Sequence, residues 1–282
     1  MQHAVPALSV LLALLLAGCS GETACRLAFM DVGYGDAILL QAEGAGAPAA
    51  VLIDAGSSPG RLGRDVVLPF LARNSVRALD AVICTHSHED HAGGIPAVLD
   101  GIAVSAFYSP PWRETNACTA AIEQRLAHLG IPRRILARGD RLAFGGCEVE
   151  VLWPPAGGAD VVPPPVELNA HSLVLLLRCG DGRALLPADV TAAVLSALRA
   201  GAVGLQAAVL KIPHHGGRDA YSEAFLAAVS PAIAVLSVGE NPWGNPSAEV
   251  VAAYERHTRV MRTDRDGTVR VLLDGSGRAV IE

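Results

Sequence analysis

The chain has 282 residues, 51% hydrophobic and 4% aromatic, with a formal net charge of -6. That apolar content excludes a disordered chain and suffices for a large packed core. The negative balance works against nonspecific attraction to polyanions, so a nucleic-acid substrate would need a local basic patch or metal ions to offset its phosphates. Lys211 is the only lysine among 22 basic residues, a bias that reads as genome composition rather than function.

Residues 10–17 form an apolar run ending in Leu16-Ala17-Gly18-Cys19, too short to span a bilayer as a helix. This end resembles the lipobox of bacterial lipoprotein signal peptides, where small residues admit the peptidase and the cysteine takes the lipid. The resemblance implies a signal peptide over residues 1–19, a lipid on Cys19, and an exported protein anchored to a membrane of the bacterial cell envelope. Residues 1–6 depart from the pattern in having no Lys or Arg.

Beyond it, β-rich runs at residues 26–32, 37–41, 50–54 and 79–85 alternate with turn residues and a helix-like stretch at 61–73. A helix is predicted at 94–99, a strand at 104–108, a helix at 117–129, and strands at 142–144 and 147–153. The Pro- and Gly-rich residues 154–165 read as a surface excursion near an active-site rim, being too short for a domain linker. Strands follow at 172–178, 183–187, 207–212 and 232–237, with helices at 191–199, 222–229 and 247–256. Two halves of similar content imply two packed sheets with helices outside, a four-layer αββα arrangement of the α/β class. Residues 268–273 and 278–281 are expected to close the second sheet. Cys84 reads as a small buried side chain, while Cys25, Cys118, Cys147 and Cys179 are open to disulfide pairing or to burial as thiols.

The sharpest motif is Thr85-His86-Ser87-His88-Glu89-Asp90-His91, where an apolar strand ends and Gly93-Gly94 open a helix. Imidazoles and a carboxylate crowded this closely repel one another's lone pairs unless a cation holds them. Alternate residues His86 and His88 can face one ion, and Asp90 and His91, after the turn, a second.

His-x-His-x-Asp-His after a hydrophobic strand resembles the signature of the metallo-β-lactamase superfamily. Three further segments narrow the likeness: Phe29-Met30-Asp31-Val32-Gly33-Tyr34-Gly35-Asp36-Ala37, Leu52-Ile53-Asp54-Ala55-Gly56, and Lys211-Ile212-Pro213-His214-His215-Gly216. Together they are similar to the hydrolase domain of ComEC/Rec2 competence proteins and its stand-alone relatives, over residues 25–282. The resemblance implies a dinuclear site for two divalent metal ions, zinc or manganese, with His86, His88, Asp90 and His91 as ligands. Asp54 would orient the His loop, or form a turn before Gly56. Asp189 takes the place of a bridging aspartate, although relatives usually have Gly where Ala188 stands, and it could also cap the following helix. His214 and His215 compete for the last ligand position; His215 is favoured, leaving His214 as a phosphate contact or proton donor. Asn169 and His171 both stand near the third motif, and His171 could complete the first ion's ligands. Arg113, Arg138 and Arg218 are rim candidates for phosphate contact or for plain solvation. Gly217 replaces a frequent Ser, and Gly244-Asn245-Pro246 a common Gly-His-Pro, which leaves substrate preference open.

These readings lead to a metal-dependent phosphodiesterase or nuclease acting outside the cytoplasm. Asp90 would orient the nucleophile, and the substrate would be single-stranded DNA or a small, even choline-bearing, phosphodiester. A lactam or lactone hydrolase, or a non-catalytic metal-stabilised surface lipoprotein, are the alternatives.

Overall fold

The computed structural model describes residues 23–44, 46–57, 63–112, 114–157, 168–201 and 204–282. The expected signal peptide, Cys19 and Arg113 lie outside them.

Strands β1 (Ala24–Phe29), β2 (Ile38–Glu43) and β3 (Ala49–Ile53) form an antiparallel meander. Their side chains alternate between two apolar environments, as a sheet covered on both faces requires. Leu27, Phe29, Ile38, Leu40, Val51 and Ile53 enter one core, and Ala28, Leu39 and Leu52 another. A short pair, β4 (Ala78–Leu79) with β6 (Ala103–Val104), lies beside this sheet. The sheet itself continues in parallel through β5 (Ala81–Ile83), β7 (Phe107–Ser109) and β8 (Arg133–Ile135).

The second sheet runs antiparallel through β9 (Arg141–Phe144), β10 (Cys147–Trp153), β11 (Val174–Cys179) and β12 (Gly182–Leu186). It then runs parallel through β13 (Val209–Lys211), β14 (Ile233–Leu236) and β15 (Arg259–Arg262). Val149, Val151, Leu175, Leu177, Ala184 and Leu186 face the inner side of the first sheet and complete the central core.

Helices cover both outer faces. A π-helical turn at Gly63–Val67 leads into α1 (Leu68–Arg73), and α2 (Glu89–Ala92), α3 (Ile95–Gly101) and α4 (Ala117–Leu129) follow against the first sheet. Asn116 and Thr119 form a reciprocal capping box at the start of α4, an arrangement worth about 1 kcal/mol. On the second sheet, α5 (Ala192–Ala200), α6 (Glu223–Val229) and α7 (Ala248–Glu255) bury Leu195, Phe225 and Tyr254 against Leu176, Leu185 and Leu210. The four-layer αββα order is therefore the one expected. A short α8 (Thr263–Asp266) precedes the last strands, β16 (Val269–Leu273) and β17 (Ala279–Ile281).

Those strands correct one expectation. They do not close the second sheet; β16 pairs antiparallel with β1, and β17 lies outside it on the first sheet. The second sheet already ends in β15, whereas β1 would otherwise present an open edge beside buried Leu27 and Phe29. Val269, Val271 and Leu273 fill that place in the central core.

Of the four candidate cysteines, Cys147 and Cys179 are bonded, directly opposite one another on β10 and β11. Cys25, Cys84 and Cys118 are free thiols, and burial pushes the Cys25 thiol up to about 12.

Candidate metal centre

The site forms where β3, β5, β12, β13 and β14 end. Asp54, one residue beyond β3, adopts a left-handed backbone (φ 57°), which turns its carboxylate under the His loop. The Thr85 amide donates to Asp54 Oδ1 at 2.7 Å and the Thr85 hydroxyl to Oδ2 at 2.6 Å. His91, carried on α2, places its Nδ1 2.8 Å from Asp54 Oδ2. Two glycines permit this crowding: a Cβ on Gly35 would collide with the Asp90 carbonyl, and one on Gly94 with the Ala55 carbonyl.

From the other sheet, Asp189 and His215 converge on His91. His215 Nδ1 donates to the Ser237 carbonyl at 2.8 Å, just as His91 Nδ1 donates to a carboxylate. With both Nδ1 atoms as donors, the neutral rings present bare Nε2 atoms. These two Nε2 atoms lie 3.3 Å apart. Asp189 Oδ2 is 3.2 Å from each, and Asp90 Oδ2 lies 3.2 Å from His215 and 3.7 Å from His91. Four lone-pair donors buried at such separations require a cation or extra protons between them. Two imidazoles and two carboxylates suit a divalent ion such as zinc.

Electrostatics describe the same demand. Burial draws the His215 pKa down, but Asp189 and Asp90 outweigh it and carry the group up to about 9. His91 is likewise raised against its burial by Asp189, Asp90 and Asp54. His86 goes the other way: burial, reinforced by His91, holds it well below the usual imidazole range and so in the neutral, ligating form. Its Nε2 stands 3.1 Å from His88 Nδ1, a second convergence of ring nitrogens next to the first.

The competing positions separate spatially. His215 enters the cluster, while His214 points to the cavity, with Nδ1 2.9 Å from Asp219 and Nε2 3.2 Å from Asn169 Nδ2. Both histidines have left-handed backbones (φ 45° and 50°), and this double turn sends adjacent side chains to different places. Asn169 lines the cavity. His171, two residues further along the 3₁₀ turn Leu168–His171, is buried. Neither Arg138 nor Arg218 lines the cavity; Arg218 pairs with Glu249 and Ser247 at the surface.

Lys211 and Asp36 stand in the quoted motifs, but sequence reasoning gives neither a role at the site. Lys211 is fully buried, its Nζ 2.6 Å from Asp36 Oδ2, 3.2 Å from Asp189 Oδ1 and 3.3 Å from the Ala188 carbonyl. It leaves Asp189 Oδ2 for the cluster and fixes the carboxylate's orientation. The signal was present: a chain that uses arginine everywhere else keeps one lysine, and keeps it in the segment that carries His215. A compact ammonium fits a closed pocket that a guanidinium would overfill. Ala188 is in the left-handed region (φ 49°), which accounts for the glycine expected there.

Two sheets packed face to face, with a His and Asp cluster bridging their ends, define an αββα protein built to hold metal. The chain belongs to the metallo-beta-lactamase superfamily, whose family model matches residues 30–240 and whose members are typically metal-dependent hydrolases. It is similar to ComE operon protein 3 of Bacillus subtilis, 29% identical over 259 residues, covering 86% of this chain and 32% of that protein. It is also similar to Recombination protein 2 of Haemophilus influenzae, 28% identical over 257 residues, covering 86% of this chain and 28% of that protein. The chain thus spans about a third or less of the length of these curated relatives. A ribonuclease J of Sinorhizobium meliloti is 33% identical over 138 residues, 46% of this chain and 23% of that enzyme. Among solved structures, the metallo-beta-lactamase fold protein YhfI of Bacillus subtilis superposes with a TM-score of 0.55 at 14% identity, covering 90% of this chain and all of YhfI. That likeness concerns the fold alone.

Proposed function

We propose that the protein is an exported phosphodiesterase or nuclease that works with two divalent ions, zinc or manganese. One ion would be held by Asp90, His91, Asp189 and His215, the other by His86 and His88 with Asp189 reaching both. The observation that carries this reading is the buried convergence of His91 Nε2, His215 Nε2, Asp90 Oδ2 and Asp189 Oδ2 from two sheets. When bound, such ions supply a hydroxide nucleophile near neutral pH and polarise the oxygen of the bond under attack.

The chain's own residues do the rest. Asp90, partly open to the cavity, orients the nucleophile. Asp54 holds His91 in the tautomer that keeps Nε2 bare. His214, whose Nδ1 donates to Asp219, accepts from Asn169 Nδ2 at Nε2 beside the cavity, and after taking up a proton at Nε2 it could pass it to the leaving group. The phosphodiester assignment draws on relatives named for competence, recombination and ribonuclease activity. Export and anchoring through Cys19 draw on the lipobox-like segment; among the described residues no helix is long and apolar enough to cross a membrane.

The test is hydrolysis of bis(p-nitrophenyl) phosphate and of single-stranded DNA by the purified chain, stripped of metal and then given zinc or manganese. Metal-dependent turnover of both supports a nuclease, and turnover of the ester alone a small-substrate enzyme. Stoichiometric metal binding without any turnover rejects the phosphodiesterase reading. Intact-mass analysis of the membrane fraction, looking for a diacylated Cys19, checks the anchor.

A further inference from the structure

The cavity over the metal centre, about 770 Å³, is lined by five carboxylates, Glu89, Asp90, Asp189, Asp219 and Glu240, and by no described Lys or Arg. The charge of two divalent cations would not outnumber that of these carboxylates. Among the described residues a second phosphate beside the scissile one would meet carboxylates and no Lys or Arg in that lining, which disfavours an extended polyanion there. What the mouth offers instead is aromatic.

Trp243 is 67% exposed. Its ring lies 4.7 Å from that of Tyr34 at an interplanar angle of 33°, and Tyr34 lies 4.4 Å from the ring of His215. A continuous aromatic path therefore leads from solvent to the metal centre. The indole is also firmly mounted. Asn241 Oδ1 accepts from the backbone amides of Trp243 and Asn245 at 3.1 and 3.2 Å, and Asn241 Nδ2 donates to the Gly239 and Asn245 carbonyls at 2.8 and 2.6 Å. Asn245 Nδ2 in turn donates to the Tyr34 hydroxyl at 3.0 Å. This asparagine stands where a histidine is expected; its side chain holds the Tyr34 hydroxyl, and its backbone is held by the same Asn241 that accepts from the Trp243 amide.

We propose, on the phosphodiesterase reading above, that Trp243 backed by Tyr34 is the shelf on which the base next to the scissile phosphodiester stacks. The substrates would then be short or terminal nucleotide phosphodiesters rather than long duplexes. A quaternary ammonium can also rest on an indole, but a cage for it needs aromatic faces on several sides, and among the described residues Trp243 has one aromatic neighbour, Tyr34, tilted 33° from it. Stacking of a base on an aromatic side chain strengthens binding by roughly five- to 150-fold and tolerates any base.

The experiment compares three p-nitrophenyl esters that share a leaving group: thymidine 5′-(p-nitrophenyl phosphate), methyl p-nitrophenyl phosphate and p-nitrophenylphosphorylcholine. In Trp243→Ala the ratio of kcat/KM for the thymidine ester to that for the methyl ester should fall by roughly tenfold or more. Trp243→Phe should retain most of the ratio. An unchanged ratio, or a selective loss on the choline ester, overturns the proposal. Quenching of tryptophan fluorescence by thymidine 5′-monophosphate, measured on the metal-loaded protein and on Trp243→Phe, needs no turnover. If none of the esters is cleaved, the phosphodiesterase reading fails, yet quenching that disappears in Trp243→Phe still supports the shelf. No quenching, or quenching that persists without Trp243, refutes it.

Discussion

Replacing Lys211 by Met keeps an unbranched side chain one atom shorter and removes the charge, leaving Asp36 and Asp189 facing each other in the interior without their common ammonium. Breaking a buried pair in this way costs about 3–5 kcal/mol. A second route to the magnitude agrees: an orphaned buried carboxylate would protonate instead, and doing so at pH 7, about three pH units above an ordinary carboxylate, costs roughly 4 kcal/mol. Against a total stability of about 5–15 kcal/mol, that is a large fraction, equivalent to a fall in Tm on the order of 10 °C. The assay is urea unfolding of the metal-stripped protein at pH 7. Lys211→Met/Asp36→Asn should recover at least about 1 kcal/mol of the loss, because one orphaned charge is gone. Metal addition should narrow the gap between wild type and Lys211→Met, since a cation also compensates Asp189. A loss under about 1 kcal/mol in the stripped single variant, or a double variant no more stable than the single one, would refute the reasoning.

Three further outcomes are expected. Asp54→Asn removes the carboxylate that fixes the His91 tautomer and should weaken metal affinity by about 10–100-fold, read by competition with a chromogenic chelator. Ala188→Gly relieves a left-handed alanine, and after the glycine's greater unfolded entropy is subtracted it should stabilise by about 0.5–1 kcal/mol in thermal melts. Burial would raise the Glu150 carboxyl, but hydrogen bonds and charge from Arg178 and Arg141 hold it below the usual glutamate range. A depressed carboxyl stabilises the fold above the ordinary glutamate pKa and loses that contribution as pH falls through its lowered value. Glu150→Gln should therefore cost about 1 kcal/mol or less at pH 7, since both arginines reach solvent, and the difference should vanish in unfolding curves at strongly acid pH.

The parts of the site readable from the chain are those the chain writes contiguously. His86, His88, Asp90 and His91 fall within one strand-to-helix turn, so their spacing alone announces shared chemistry. Lys211 and Asp36 were not readable in this way, because each makes sense only beside the other and they come from different sheets. The choice between His214 and His215 likewise depends on two successive left-handed residues, which neither period nor propensity reports. In the fold, long apolar runs such as those of β3, β5 and β11 were plain. Arg133–Ile135 and Arg259–Arg262 were missed because they are edge strands whose arginines break the apolar alternation. The placement of β16 went wrong for a related reason. Its pattern states that one face is buried, but not which of two sheets has an edge to offer.

His91 and His215 are separated by 124 positions and come from opposite sheets. A cation shared between them would act as a removable cross-link closing a very long loop of chain, in a molecule whose Cys147–Cys179 bond joins two neighbouring strands of one sheet only. The entropy lost by the unfolded chain on closing a loop rises with its length, so the ion, more than the disulfide, would hold the halves together. Resistance to proteolysis would then follow the supply of metal around the protein. In metal-poor surroundings the same chain would become both idle and easier to clear.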